Sequence, residues 1–368
     1  MERKRLLILL LILITNVVFA QYAPYFHNFL LSDYNAGNQN WGISRAEDGR
    51  LYVANNDGLL EYDGLVWNLY ELPNKTTLRS VLTYDNKVYT GSYEEFGFWE
   101  TNNNGVLSYT SLSDAIKTQI EPDEEIWQII ACNEGIVFRS FSNIYVCKPN
   151  GNIKKIKPSS IVISFSVVNN SLLLATLNKG IFELKQDELV LRAMHPVLED
   201  TKIVAVVNYN NGLLLATSLK GCFLLRGDVF EPVNFEVNTQ IKQHLLNSFL
   251  VLKNGNMVFG TIKDGVYVTD KEGKIIFHLN KEIGLLNNTI LSQYVSEDHK
   301  LWLGLDNGIA YVDLNSRNYF FNDISGRLGA VYDVKKFNNT IYIGSNTGLY
   351  YLDTQNKLKF IEGSQGQV

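Results

Sequence analysis

The stretch Leu301–Asp313 (LWLGLDNGIAYVD) carries the pattern that decides the fold: an apolar strand-like run, a small residue, a polar turn, a glycine and a second strand-like run. About eight copies of this pattern occur between residues 51 and 353, and the matching turn positions recur every 37 to 46 residues. A period of about 40 residues with several strands per unit is typical of a β-propeller. The turn positions are Gly58, Gly97, Asn143, Gly180, Gly221, Gly265, Gly308 and Gly348.

Each copy extends into a unit of four strand-like segments, so the sequence predicts an all-β fold, a β-propeller of four-stranded blades. The second segment ends in a small residue, which we expect where neighbouring blades approach one another near the central axis. Helical periodicity is weak, and only Leu112–Ile120 is expected to form a short helix. The small residues are Ala54, Gly91, Ser140, Thr176, Thr217, Thr261, Gly304 and Gly344.

The number of blades stays open between seven and eight. Eight copies of the pattern can be counted, and Tyr25–Leu30 precedes the first copy as an additional strand that could complete the last blade. A closed ring of eight blades and a ring of seven followed by an incomplete successor both fit the repeats.

The first 20 residues read as a secretory signal peptide. Arg3, Lys4 and Arg5 form a basic start, Leu6–Ile14 is an apolar run that is short for a membrane span, and Ala20 ends the segment with a small residue. An uncleaved N-terminal anchor is the alternative. We therefore predict a signal peptide over residues 1–20, one propeller sensor domain over residues 21–368, no membrane span after cleavage, and a periplasmic location.

Composition and motifs exclude several classes of function. A net charge of −5 disfavours the phosphate backbone of nucleic acids, so no nucleic-acid partner is expected. The five histidines have no metal-ligand spacing, and neither a catalytic motif nor a nucleotide-binding glycine loop is present. We predict no metal, no cofactor and no enzymatic activity. Cys132 and Cys147 fall in one repeat, and either a disulfide or buried free thiols would fit their apolar surroundings.

Three stretches resemble a known family. Ser296–Val312 (SEDHKLWLGLDNGIAYV) is similar to the repeat of two-component-regulator propellers, and Asn40–Trp67 and Tyr89–Trp99 (YTGSYEEFGFW) resemble the opening blades of such sensors in the branch with triple-tyrosine and LuxR-type regulator ends. The resemblance implies a periplasmic ligand-sensing propeller of a membrane-crossing receptor. Within these 368 residues the later receptor parts are not found. The front part of such a receptor and a detached sensor module both remain open.

Candidate ligand-binding residues are expected on the loops that lead into the first strands and join the second to the third, because these loops gather at the end of the central channel. Aromatic rings beside amides and charged groups suit a sugar. Trp41 and Trp127 occupy equivalent positions and could equally serve inter-blade packing, and the two arginines of the set could pair with Asp57 or Glu94. The full set is Asn40, Trp41, Asn55, Asn56, Asp57, Arg79, Tyr93, Glu94, Glu95, Trp127 and Arg139.

The sequence thus supports an exported ligand-sensing propeller, the extracytoplasmic portion of a two-component or LuxR-type regulator that binds an oligosaccharide or similar small ligand. A protein-interaction scaffold, with a homodimer or a receptor as partner, is the alternative. A polysaccharide lyase or glycosidase is a third hypothesis, and its acid and base would have to be Glu94 or Glu95.

Overall fold

The structure, a computed structural model, describes residues 23–102, 105–321, 323, 326–353 and 358–366. The predicted signal peptide over residues 1–20 lies outside the described residues. The described chain divides into two compact units. The larger unit comprises Tyr25–Lys281 and Leu285–Ser316, and the smaller unit holds the remaining described residues. The sequence had indicated one domain over residues 21–368.

Almost all regular structure in the described residues is β-strand, as predicted. Two short α-helices, α1 (Leu31–Tyr34) and α2 (Asn238–His244), and two 3₁₀ turns, Ser113–Gln119 and Pro196–Leu198, complete it. The strands are β1 (Ala23–Pro24), β2 (Phe26–Phe29), β3 (Asn40–Arg45), β4 (Leu51–Asn55), β5 (Gly58–Tyr62), β6 (Trp67–Tyr70), β7 (Ser80–Tyr84), β8 (Lys87–Gly91), β9 (Phe96–Thr101), β10 (Leu107–Ser111), β11 (Gln128–Cys132), β12 (Gly135–Arg139), β13 (Ile144–Cys147), β14 (Ile153–Ile156), β15 (Val162–Val168), β16 (Ser171–Thr176) and β17 (Gly180–Lys185). They continue with β18 (Glu188–Ala193), β19 (Ile203–Tyr209), β20 (Gly212–Thr217), β21 (Cys222–Arg226), β22 (Val229–Pro232), β23 (Leu246–Val251), β24 (Met257–Thr261), β25 (Val266–Thr269), β26 (Ile275–Leu279), β27 (Ile290–Val295), β28 (Lys300–Leu305), β29 (Ile309–Asp313), β30 (Tyr319–Phe320), β31 (Val331–Phe337), β32 (Thr340–Ser345), β33 (Gly348–Leu352) and β34 (Leu358–Phe360).

The larger unit is a ring of seven blades, each an antiparallel sheet of four strands. Blades one to six are built from consecutive strands, β3 to β6 for blade one and β23 to β26 for blade six. The first strand of each blade packs against the first strand of the next, and β27 packs against β3. The ring is therefore closed, and the first strands surround its axis. This settles the blade number of the ring at seven.

Blade seven is completed by the N-terminal strand, because its order is β2, β29, β28, β27. Phe26 pairs with Val312 and Phe29 with Ile309. Phe29 is 7% exposed, and its ring stacks on Trp302 at a centroid distance of 5.9 Å while also contacting Trp67. The extra strand expected from Tyr25–Leu30 is thus the outer strand of the last blade in the ring.

Between neighbouring blades, apolar side chains pack face to face, and each inter-blade core is built from two adjacent repeats. Trp99 and Trp302 are buried, as expected, and Trp67 packs against the core between blades seven and one. The cysteines are free thiols. Cys132 ends β11 and Cys147 ends β13, so β12 separates their strands and no disulfide forms.

Close approach near the axis is confirmed, but strand pairing corrects the position of the small residue in four repeats. The equivalent positions in blades four to six are Ala175, Ala216 and Gly260, one residue before the predicted threonines. In blade three the equivalent position is one residue before Ser140. The threonines cap the following turn instead, since the Thr217 hydroxyl donates to the Gly221 carbonyl at 2.6 Å.

The helix expected at Leu112–Ile120 is present as a 3₁₀ turn over Ser113–Gln119. The two α-helices were not predicted. α1 follows the closing strand β2, and α2 connects blades five and six, where Ile241 is buried in the inter-blade core.

The smaller unit contains the sheet β31 to β34, formed by the eighth repeat, and a two-stranded pair of β1 with β30. Its small core consists of Leu328, Ile343, Tyr350 and Leu352. All seven residues of β31 are exposed. The eighth repeat therefore forms a sheet of its own and is not one of the seven blades of the ring.

Candidate binding site on the inner strands of blades one to three

Three of the predicted site residues occupy one register position on the innermost strands. In blade one, Gly42 of the first strand pairs with Ala54 of the second strand, and Trp41 directly precedes Gly42. Arg79 and Trp127 directly precede the residues that pair in the same way in blades two and three. In blades two and three the residue also donates its backbone N–H across that pair, from Arg79 to Gly91 and from Trp127 to Arg139. The repeat therefore presents these three side chains side by side at the ring's inner wall.

The three side chains contact one another in a cluster that we call the Trp–Arg stack. The Arg79 guanidinium carbon lies 4.5 Å from the centroid of the Trp41 ring and 4.9 Å from that of Trp127. The two indole rings meet edge to face with centroids 5.6 Å apart. A cation held over two aromatic faces gains about 0.5–2 kcal/mol per ring. The stack joins blades one, two and three, and each member keeps part of its surface in solvent.

Arg79 is fixed by an ion pair that the sequence did not indicate. Its Nε and Nη2 both lie 2.9 Å from Oε1 of Glu125, and the two side chains are 19% and 27% exposed. The predicted pairing of Arg79 with Asp57 or Glu94 is wrong, because Glu125 comes from the loop before blade three. This carboxylate neutralises the arginine and orients it over the indole rings.

Asn40 and Asn55 are fully buried and hold the ring together rather than facing a ligand. The Asn55 amide donates to Oδ1 of Asn40 at 2.9 Å, and the Asn40 amide donates to the Gly308 carbonyl of blade seven at 2.9 Å. Their polar atoms are used for ring closure. Asn56 differs, since its Oδ1 accepts the Trp41 indole N–H at 2.9 Å and so orients one ring of the stack.

Tyr93, Glu94 and Glu95 lie on one loop of blade two but point to different partners. The Tyr93 hydroxyl donates to Asp123 at 2.5 Å, and this hydrogen bond raises the pKa of Tyr93 to about 12. Glu94 accepts from the backbone N–H of Asp123 at 2.8 Å. Glu95 accepts from the Tyr109 hydroxyl at 2.7 Å. The two glutamates are thus engaged separately and form no acid–base pair, and Asp57 is exposed.

Arg139 is almost completely buried, with 6% of its surface exposed. Its Nη1 donates to the Val162 carbonyl of blade four at 2.8 Å, and its guanidinium carbon lies 5.7 Å from the Phe141 ring centroid. Burial lowers the pKa of Arg139 to about 9. Burial and the positive charge of Arg139 also lower the pKa of Lys202.

A separate cavity of ≈ 630 Å³ lies between blades four and five, and none of the predicted residues lines it. It contains the turns that join first to second strands, among them Asn169 and Asn210, so it opens at the opposite end of the strands from the Trp–Arg stack. Its lining includes Asn208 and Tyr209. Its volume falls in the range of small-molecule pockets.

Within the part of the chain that the structure describes, no group of three His, Cys, Asp or Glu side chains is placed to hold a metal ion. No helix in the described ranges has the length and apolar character needed to cross a bilayer.

Solved structures share this fold. The extracellular domain of a protein described as a hybrid two-component system, BT4673 from B. thetaiotaomicron, superposes with a TM-score of 0.62 at 16% identity, over 93% of this chain and 48% of that one. This chain has the propeller fold of that extracellular domain. It spans about half of that structure's length. The expected resemblance to two-component-regulator propellers is therefore confirmed at the level of the fold.

Other propellers with different roles fit similarly. Virginiamycin B lyase from Staphylococcus aureus matches with a TM-score of 0.61 at 12% identity, over 80% of this chain and 100% of that one. The WD40 propeller domain of Doa1 matches with a TM-score of 0.60 at 14% identity, over 81% and 98%. No protein-family model and no curated protein matches the sequence. The shared fold does not by itself separate sensing from catalysis.

Proposed function

We propose that this chain is the ligand-binding propeller of an exported sensor and that the Trp–Arg stack binds an oligosaccharide. The observation that carries the proposal is the arrangement of Trp41, Arg79 and Trp127. Indole rings offer flat apolar faces for a pyranose ring, and the arginine and neighbouring amides supply hydrogen-bond donors for hydroxyl groups. Phe141, 44% exposed, extends the aromatic surface beyond Trp127 at a centroid distance of 5.5 Å.

The sensory role follows from the family resemblance, with the chain as the periplasmic part of a two-component or LuxR-type regulator. The seven blades close on themselves, so ligand binding is expected to leave the ring itself unchanged. A signal would arise when the ligand binds one arrangement of two receptor chains more tightly than the other and shifts their population.

The test is a calorimetric titration of the chain with a panel of neutral and acidic oligosaccharides. Trp41→Ala removes one aromatic face and is expected to weaken binding at least tenfold, about 1.4 kcal/mol. Asn208→Ala in the cavity between blades four and five is the matched control and should leave the affinity unchanged. If Asn208→Ala weakens binding while Trp41→Ala does not, the ligand binds in the cavity. If no saccharide binds, the proposed function is wrong.

A second candidate function, self-association, is favoured by one observation in the smaller unit. Val331, Tyr332, Val334 and Phe337 of β31 are all large and between 46% and 62% exposed. An exposed apolar strand is a common pairing surface. Sedimentation at increasing concentration would show a dimer that Val334→Glu abolishes, whereas a monomer at all concentrations would exclude this candidate.

The prediction that the chain is not an enzyme remains a prediction, since lyases share the fold. Turnover of a polysaccharide, lost on changing Glu94 or Glu95 to glutamine, would contradict it.

A further inference from the structure

Arg139 occupies a position at which the rest of the ring carries glycine or alanine. This position lies on the second strand of each blade and pairs with the first strand near its beginning. In blade three Arg139 pairs with Gln128, the residue that follows Trp127. A side chain at this position meets the next blade: a Cβ on Gly260 would lie 2.8 Å from Ile290, and one on Gly91 would collide with Ile126. The equivalent residues are Ala54, Gly91, Ala175, Ala216, Gly260 and Gly304.

A long cation at a position that packing restricts to small residues breaks the rule of the repeat, and such exceptions concentrate at functional sites. Among the described residues the Nε of Arg139 has no acceptor and no carboxylate forms an ion pair with its guanidinium. Burial lowers the pKa of this guanidinium to about 9. An unpaired buried cation is unfavourable by several kcal/mol. Stability therefore does not explain Arg139.

A second buried donor adjoins it. Nε1 of Trp127 is buried and finds no acceptor within the described ranges. Trp127 and Arg139 both flank Phe141, at 5.5 Å between ring centroids and 5.7 Å from the guanidinium carbon to the ring centroid. This junction of blades three and four thus offers N–H donors that have no acceptor among the described residues.

The carboxylates of the same loop are already engaged. Glu125 pairs with Arg79 at 2.9 Å. Glu124 is buried and accepts from the hydroxyls of Ser140 and Tyr145 and, at 2.7 Å, from the amide of Asn143. Among the described residues neither carboxylate accepts from Arg139, so its Nε is left for an acceptor that a ligand supplies.

We propose that Arg139 binds a carboxylate of the ligand, so that the saccharide recognised beside the Trp–Arg stack contains uronic acid. This inference rests on the proposed function and specifies the ligand class. Because Nη1 is used by Val162, the opposite edge of the planar guanidinium remains for the ligand, and that edge matches the two oxygens of a carboxylate.

The test uses galacturonate and glucuronate with their methyl esters as uncharged counterparts, read by the indole N–H resonance of Trp127, which Trp127→Phe assigns. The dissociation constants of the uronates, read from the shift of this resonance, should be at least tenfold lower than those of their esters. Arg139→Gln should abolish that preference, and Arg192→Gln, an exposed arginine on blade four, should retain it. Sulfate and acetate are added separately to distinguish a general anion site from a sugar carboxylate site.

Equal responses to uronates and esters, or a preference that survives Arg139→Gln, would overturn the inference. So would a response to sulfate as strong as that to glucuronate. If the oligosaccharide panel shows binding of neutral sugars without preference for acidic ones, the inference fails while the proposed function stands. If no saccharide binds, both fail.

Arg139→Met separates recognition from a structural role. We expect its melting temperature to equal or exceed that of the unchanged protein, because it removes an unpaired buried charge. A large loss of melting temperature would instead assign Arg139 to holding blades three and four together through Val162, and would contradict the proposal.

Discussion

Removing the phenyl group of Phe29 should destabilise the seven-bladed ring at the blade where its N-terminal and C-terminal strands pair. Phe29 lies on β2, the strand that completes blade seven, and is 7% exposed. Its ring contacts Tyr62, Trp67, Trp302 and Tyr311 at centroid distances of 5.3, 5.4, 5.9 and 6.1 Å. Truncating a buried phenylalanine costs about 3–5 kcal/mol, because the transfer free energy is lost and a cavity remains. Phe29→Ala should therefore lower the free energy of unfolding by about 4 kcal/mol.

The measurement is urea unfolding followed by tryptophan fluorescence, since Trp67 and Trp302 adjoin the site. Leu65→Ala is the control: Leu65 is 90% exposed in the same blade-one region and should change stability by less than about 0.5 kcal/mol. The loss of about 4 kcal/mol expected for Phe29→Ala is a large share of the ~5–15 kcal/mol that stabilises a typical protein. If Phe29→Ala lost less than about 1 kcal/mol, β2 would not carry the closure of the ring.

Three further results are expected. Asn40→Ala should lower the free energy of unfolding by about 1–3 kcal/mol, since it removes one buried hydrogen bond to the Gly308 carbonyl and one from the Asn55 amide. Asn40→Asp as a comparison keeps the acceptor alone, and equal stability of Asn40→Ala and the unchanged protein in urea unfolding would refute this. Gly91→Ala should cost about 1–3 kcal/mol because its Cβ meets Ile126 and Ser80, and a neutral effect on the melting temperature would show that blades two and three can separate. Burial raises the pKa of Asp298, but hydrogen bonds from Ser296 and Lys300 and the charges of Lys300 and Arg45 outweigh it and lower that pKa to about 2. The contribution of Asp298 to stability is present above the usual pKa near 4 and is lost as pH falls toward 2. Asp298→Asn should therefore flatten the decline of melting temperature between about pH 4 and 2. An unchanged profile would mean that the half-exposed Arg45–Asp298 pair at 2.9 Å adds nothing to stability.

The fold could be predicted because the residues of each repeat indicate its strands and turns without reference to the rest of the chain. A strand, a turn that in all but one repeat holds glycine, and a second strand recur every 37 to 46 residues. Gly265 shows why glycine is needed, since its φ is +68° and the Leu279 carbonyl lies 1.9 Å from where a Cβ would be. Register to one residue could not be predicted. Threonine and alanine are both small, and only strand pairing shows that Ala216 faces the next blade while Thr217 caps the turn.

The Trp–Arg stack was found only in part, for a different reason. Trp41, Arg79 and Trp127 share a register position within each repeat, so their equivalence is visible in the sequence. Their partner comes from another blade, since Glu125 is 46 residues from Arg79. The number of blades and their angle decide such contacts. Arg139 was among the predicted residues, but its departure from the small residues of the other blades becomes visible only when strand pairing fixes the register.

Blade seven takes its outer strand from Phe26–Phe29 and its other three strands from Ile290–Asp313. During synthesis the earliest residues of the ring must therefore wait for nearly 290 more before their pairing partner emerges from the ribosome. Until then the apolar face of β2 is uncovered. A chain interrupted before Ile309 would leave β2 without its partner strand and the ring open.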